Sequence, residues 1–263
     1  MLKNLISALL VGTAIASLPA AAHAATAYAL TGDNKLVTFD TDTRAAAKTV
    51  GITGTDGALI GIDVRPSDGR LYGVSDSGAI YTIDTGTGAA TKVSQLDKKF
   101  EHGGRALVDF NPQADRLRLI GVSGVSFRVD VDKGAVTIDG ALKYGEKDAN
   151  AAQKPTVTMG AYTNSMPKAK GTELFNIDTA LGNLVLQSPP NDGVLQTRGP
   201  TGAKFSAKAS IDIFLNDKGD NVAYVLDAGV LYTLDLKTGT ATKSGDVAGT
   251  ANAIDIAVQP AKM

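Results

Sequence analysis

The sequence has 263 residues, 20% charged and 43% hydrophobic, with 29 Gly, 9 Pro and neither Cys nor Trp. That composition excludes a disordered, collagen-like or disulfide-stapled chain, and the lack of Cys removes thiol catalysis, thiolate metal sites and redox exchange. Lys plus Arg total 26 against 27 Asp plus Glu, a near-balance that leaves no electrostatic footprint for a nucleic acid or an anionic membrane.

Residues 1–24 open with Lys3, continue as an apolar stretch over residues 5–18 and end, after Pro19, in Ala22-His23-Ala24. This order of basic start, apolar middle and Ala-x-Ala site is that of an export signal. The apolar stretch is shorter than the roughly 20 residues that span a bilayer. Cleavage after Ala24 is therefore expected to release a periplasmic or secreted chain, residues 25–263, with no membrane insertion.

From residue 25 onward a short apolar strand with an embedded Asp recurs: Ile62-Asp63-Val64, Val108-Asp109-Phe110, Ile211-Asp212-Ile213 and Ile254-Asp255-Ile256. A fifth, Met159-Gly160-Ala161-Tyr162, falls in the right interval with Gly160 where the Asp would stand. The steps are 46, 51, 52 and 43 residues, and the step from Asp255 round to Asp63 of a chain starting at Ala25 is 47. Each inner strand is followed by further strands, as in Leu71-Tyr72-Gly73-Val74, Tyr81-Thr82-Ile83-Asp84 and the stretch after Thr87-Gly88-Ala89. Four short strands at a period near 48 predict a blade. Blades cannot cover their own apolar faces, so the expected fold is an all-β, five-bladed β-propeller. The strand at Ile254 would join those near Tyr28, Val37 and Ala46 in one composite blade that closes the ring. The fourth unit departs from the pattern, with its turn Ser188-Pro189-Pro190-Asn191-Asp192-Gly193, and ligand sites on repeat proteins tend to sit where units differ.

The run Leu71 to Asp84 with Thr87-Gly88-Ala89, the segment Val108-Asp109-Phe110-Asn111-Pro112 with Asp115-Arg116-Leu117-Arg118, and the turn Gln187-Ser188-Pro189-Pro190-Asn191 resemble a bacterial exported family known as a domain of unknown function (DUF4394-like). The resemblance implies an exported propeller and brings no catalytic residues with it.

Chemistry is sparse. After residue 24 the one histidine is His102, no Gly-x-Ser-x-Gly elbow exists, and a zinc site built on several imidazoles is impossible. Asp40, Asp84, Asp130 and Asp235 recur at turns, where a carboxylate accepts from nearby backbone N–H groups. Asp63, Asp109, Asp212 and Asp255 admit two readings: carboxylates converging on the pore, neutralised by a hard cation such as Ca²⁺, or fasteners facing the adjacent blade. Their recurrence with the repeat favours fasteners. The long loops over residues 97–106, 143–155 and 199–210 are expected on one rim. There Glu101, His102 and Arg105, next to Asp109, are candidates for the polar part of a small-ligand site. The function expected is a non-enzymatic binding or interaction module of the cell envelope, its partner a small ligand or an envelope protein. The alternative is a metal-assisted, lactonase-like hydrolase with its site at the pore.

Overall fold

The structure, a computed structural model, describes residues 25–259, so the expected leader lies outside the described residues. Strands β1 (Thr26–Thr31), β2 (Lys35–Asp40) and β3 (Ala46–Gly51) form the outer part of blade I. Blade II holds β4 (Leu59–Val64), β5 (Leu71–Ser75), β6 (Ala79–Ile83) and β7 (Ala90–Gln95). Blade III holds β8 (Ala106–Asn111), β9 (Arg116–Gly121), β10 (Ser126–Asp130) and β11 (Ala135–Ile138). Blade IV holds β13 (Val157–Tyr162), β14 (Leu174–Asp178), β15 (Asn183–Gln187) and β16 (Val194–Pro200), with the two-residue β12 (Lys143–Tyr144) parallel to β16 on its outer edge. Blade V holds β17 (Ser210–Leu215), β18 (Asn221–Asp227), β19 (Val230–Leu234) and β20 (Ala241–Asp246). The last strand, β21 (Ala253–Val258), pairs antiparallel with β1 and completes blade I from the inside. The composite blade and the five-bladed ring are as the repeat requires.

The innermost strands β21, β4, β8, β13 and β17 pack on one another in that order, and β17 returns to β21. Apolar side chains fill each seam between blades, because alternate residues of a strand face opposite neighbours. Tyr72, Val74, Phe110 and Leu119 share the core of seam II/III, while Phe39, Phe214, Tyr224 and Ile256 share that of seam V/I. Turn chemistry explains where strands stop. Asp40, Asp84, Asp130 and Asp235 each accept from the backbone N–H two residues on. Gly88 and Gly134 hold positive φ in two of these turns, where a Cβ would sit 2.2 Å from the Gly51 carbonyl oxygen and 1.8 Å from that of Gln95. Only glycine lets the turn close this tightly on the preceding blade.

Candidate functional site

An innermost strand is the end of its ladder, and its outward N–H groups need acceptors from elsewhere. The aspartates supply them. Asp63 accepts from its neighbour Val64 N at 2.7 Å and, with its other oxygen, from Phe110 N of blade III at 2.7 Å. Asp212 does the same with Ile213 N at 2.6 Å and Val258 N of blade I at 2.5 Å. Asp255 accepts from Ile256 N at 3.0 Å and Ile62 N of blade II at 2.8 Å. Asp109 reaches Tyr162 N of blade IV at 2.9 Å. Each carboxylate faces forward round the ring and ties its blade to the next.

Convergence and fastening are both realised, since Asp63, Asp109 and Asp212 also bring one oxygen each within 4.8 Å of one another. Asp255 lies outside this trio. Burial pushes Asp212 up to about 6 and Asp255 up to about 8. Burial, with repulsion from neighbouring carboxylates added, holds Asp63 and Asp109 well above the ordinary carboxylate range. The N–H bonds and, at Asp255, the Arg105 charge pull the other way. Such a group keeps protons at neutral pH or gathers round a hard cation in their place. The space bounded by Asp63, Asp109, Asp212, Tyr162 and Val258 is about 10 Å³, room for one water or a bare ion.

Arg105 reaches into the pore mouth, donating from Nη1 to the Ile254 carbonyl at 2.5 Å and from Nη2 to the Ala209 carbonyl at 2.8 Å, so its guanidinium bridges the chain at blades I and V. The other candidates of that loop go elsewhere. Glu101 is exposed and paired with Lys99 at 2.7 Å. His102 accepts from Gly104 N through Nδ1 at 3.2 Å, with its ring 5.9 Å from that of Phe100. Arg105 and Asp109 thus belong to the interior of the ring, Glu101 and His102 to the loop.

Seam IV/V differs from the other four. Sequence spacing matches Gly160 to the aspartates, but Gly160 faces backward, one residue out of step with the forward positions of β13. A Cβ on it would lie 2.0 Å from Asn176 Oδ1 and 2.6 Å from Leu107 Cδ1 of blade III. Met159 and Ala161 take the forward positions and pack with Ile211 and Ile213 of blade V. No carboxylate clamps this seam among the described residues. At the rim, Ser165 Oγ accepts from Leu215 N at 2.9 Å, and Asn164 and Asn221 exchange two bonds of 2.6 and 2.9 Å. Outside them the blades part round a cleft of about 1130 Å³ walled by Thr163, Glu173, Arg198, Asn221 and Lys237 among others. A second groove, about 780 Å³, follows β12 on the outer edge of blade IV and shares Arg198 with the first.

Two arginines escaped the sequence reading. Arg118, 1% exposed, donates to Tyr162 OH at 3.1 Å, Ser126 Oγ at 3.1 Å, Asp139 Oδ2 at 2.5 Å and Asn191 Oδ1 at 2.9 Å, joining blades III and IV. Arg65 joins blades II and III through paired bonds of 2.9 and 2.7 Å to Asp115 and of 3.0 and 3.2 Å to Asp132. The signal for the first was a charged residue inside the apolar run Leu117-Arg118-Leu119; the second carried none, because its partners come from another blade.

A family model described as Domain of unknown function (DUF4394) matches residues 35–257. Among curated proteins no match was found. Among solved structures, one similar chain is that of the computationally designed Ika8 protein, 14% identical, with a TM-score of 0.37 over 82% of this chain and 57% of that one. The chain therefore spans little more than half of that structure's length. No helix among the described residues is long and apolar enough to cross a membrane.

Proposed function

The chain belongs to the DUF4394 family, a domain of unknown function, and we propose that it is an exported, non-enzymatic binding or interaction module whose contact surface is the cleft between blades IV and V. One observation carries the reading: the seam that lacks an inter-blade carboxylate is the seam that opens into about 1130 Å³. An open polar cleft on a rigid ring is the arrangement that ligand sites favour. The cleft walls offer threonine hydroxyls and both signs of charge, Arg198 and Lys237 against Glu173, Asp220 and Asp235. They suit a polar small ligand or a peptide segment of an envelope protein better than an apolar one. Export rests on Ala22-His23-Ala24.

A pore-centred, metal-assisted hydrolase draws support from the three converging carboxylates, yet the roughly 10 Å³ beside them leaves no room for a lactone. The test is a thermal-shift screen of amino acids, dipeptides and simple sugars, together with a Ca²⁺ titration and an esterase and lactone screen of chelator-treated protein. Binding that is lost in Arg198→Ala/Lys237→Ala and kept in Glu101→Ala/His102→Ala supports the cleft. The reverse pattern returns the site to the Glu101, His102, Arg105 and Asp109 mouth, and Ca²⁺-dependent lactone turnover overturns the non-enzymatic reading.

A further inference from the structure

Blades I and III carry matching turns. Asp40 and Asp130 accept from the N–H of Asp42 at 3.1 Å and of Asp132 at 3.2 Å, and each turn closes onto its own carbonyl from Arg44 N or Gly134 N at 2.8 Å. Tyr224 and Tyr72 match as well: they pair across their sheets with Asp212 and Asp63 and face forward into the cores of seams V/I and II/III. At seam II/III a cation joins the two features, because Arg65 Nη1 donates to Tyr72 OH at 3.2 Å and to Asp132 Oδ1 at 3.0 Å.

At seam V/I the tyrosine and the aspartate are in place without that cation. Asp42 Oδ1 is buried with no hydrogen-bond partner, and the Tyr224 hydroxyl, on a tyrosine only 1% exposed, has no well-formed bond, only the Thr41 side chain close by. Arg44 donates instead to the Asp42 carbonyl oxygen at 2.6 Å and lies against Gly245. The chain at Ala25 stands beside this pair. Ala25 N donates to Thr41 Oγ1 at 3.1 Å, Thr41 N returns a bond to the Ala25 carbonyl at 3.0 Å, and Thr41 lies close to the Tyr224 hydroxyl.

We propose that seam V/I is a receptor for the chain's own α-ammonium at Ala25, which binds Thr41 Oγ1, the Asp42 carboxylate and the Tyr224 hydroxyl and does there what Arg65 does at seam II/III. The inference rests on processing after Ala24. When an endopeptidase adds water across the Ala24–Ala25 bond, the carboxylate leaves with the leader and the nitrogen takes up protons. One N–H becomes three, so that one keeps the Thr41 bond and two are left to offer to the two oxygens. Charge-assisted bonds of this kind are the strong ones. Removal of the leader thereby fastens the composite blade at the seam where the ring is closed.

Chains of residues 25–263, which contain every described strand, are compared with and without one extra glycine ahead of Ala25, in the natural sequence and in Asp42→Asn. The glycine moves the ammonium out of reach, and Tm should fall by about 4 °C, the loss expected for a charge-assisted bond in a chain of this size. In Asp42→Asn the glycine should cost much less. The α-amine, followed by NMR, should titrate above its ordinary value of about 8 and return to it in Asp42→Asn. Equal Tm values for the two natural-sequence chains, or an α-amine titrating at its ordinary value, overturn the receptor. Edman sequencing of the exported protein decides the processing step separately: a start other than Ala25 sinks that step, while the recombinant comparison still decides the receptor.

Discussion

Seams II/III and IV/V are built from equivalent strands and place their polar groups differently. In seam II/III, Asp63 is tied to the Phe110 N–H, and Arg65 is tied to Asp115, Asp132 and Tyr72, with the Tyr72 and Phe110 rings 5.4 Å apart. In seam IV/V the inner contact is apolar, Met159 and Ala161 on Ile211 and Ile213, and the charged residues stand on the walls of an open cleft. Polar groups spent on joining blades are held by partners on both sides and have nothing left for a ligand. On the cleft walls the side chains of Glu173, Arg198 and Lys237 have no such partners among the described residues, and the proposed contact surface is placed there for that reason.

The strongest way to break the clamped side is to remove residues 252–263. Asp212 loses its Val258 partner, Asp255 is gone, and blade I loses the strand paired with β1. A ring opened in this way should lose its cooperative thermal transition in calorimetry, where an ordinary tail truncation changes little.

A single clamp comes next. Asp63→Ala leaves the Val64 and Phe110 N–H groups buried without acceptors, and urea unfolding should show a loss of about 2–4 kcal/mol. Stability should also fall with rising pH. The native pore carboxyls hold protons that the unfolded chain gives up near pH 4, so the native state binds more protons above that point. Their contribution is fully present below about pH 4 and is lost progressively as pH rises through about 6 for Asp212 and about 8 for Asp255. Urea midpoints measured from pH 5 to pH 9 should decline across that range, and Asp255→Asn should flatten the upper part. A rise in midpoint over the same range would contradict the buried-proton reading.

The open side should be nearly indifferent. Arg198→Ala and Lys237→Ala remove exposed cleft side chains and should each change stability by less than about 0.5 kcal/mol. A loss as large as that of Asp63→Ala would mean that this seam too depends on its charges.

Much of the clamped side was legible in the sequence. The period of the Ile-Asp-Val strands fixed the blade number, and the position of Ile254-Asp255-Ile256 near the chain end implied the composite blade. The turn aspartates announced themselves by their spacing from Thr and Gly. What escaped depended on register and on neighbours. Spacing alone sets Gly160 in the aspartate position, yet Met159 and Ala161 face forward and Gly160 backward, and a displacement of one residue exchanges the two faces of a strand. The short parallel strand Lys143–Tyr144 lay inside what read as a loop. Glu101, His102 and Arg105 are adjacent in sequence, yet Arg105 alone crosses to Ile254 and Ala209, since loop direction is set by the blades it joins. The cleft is a gap between two blades, and no local pattern records a gap.

The most direct test of a pore whose carboxyls are consumed by the fold is a ¹³C NMR titration of the aspartate carboxyl groups in the intact ring, with Asp63→Asn, Asp109→Asn, Asp212→Asn and Asp255→Asn used for assignment. Burial between blades predicts Asp212 titrating near pH 6, Asp255 near pH 8 and the other two well above the ordinary range. Four pore aspartates that all titrate below pH 4 would show them hydrated and free, and the pore would again be a candidate site.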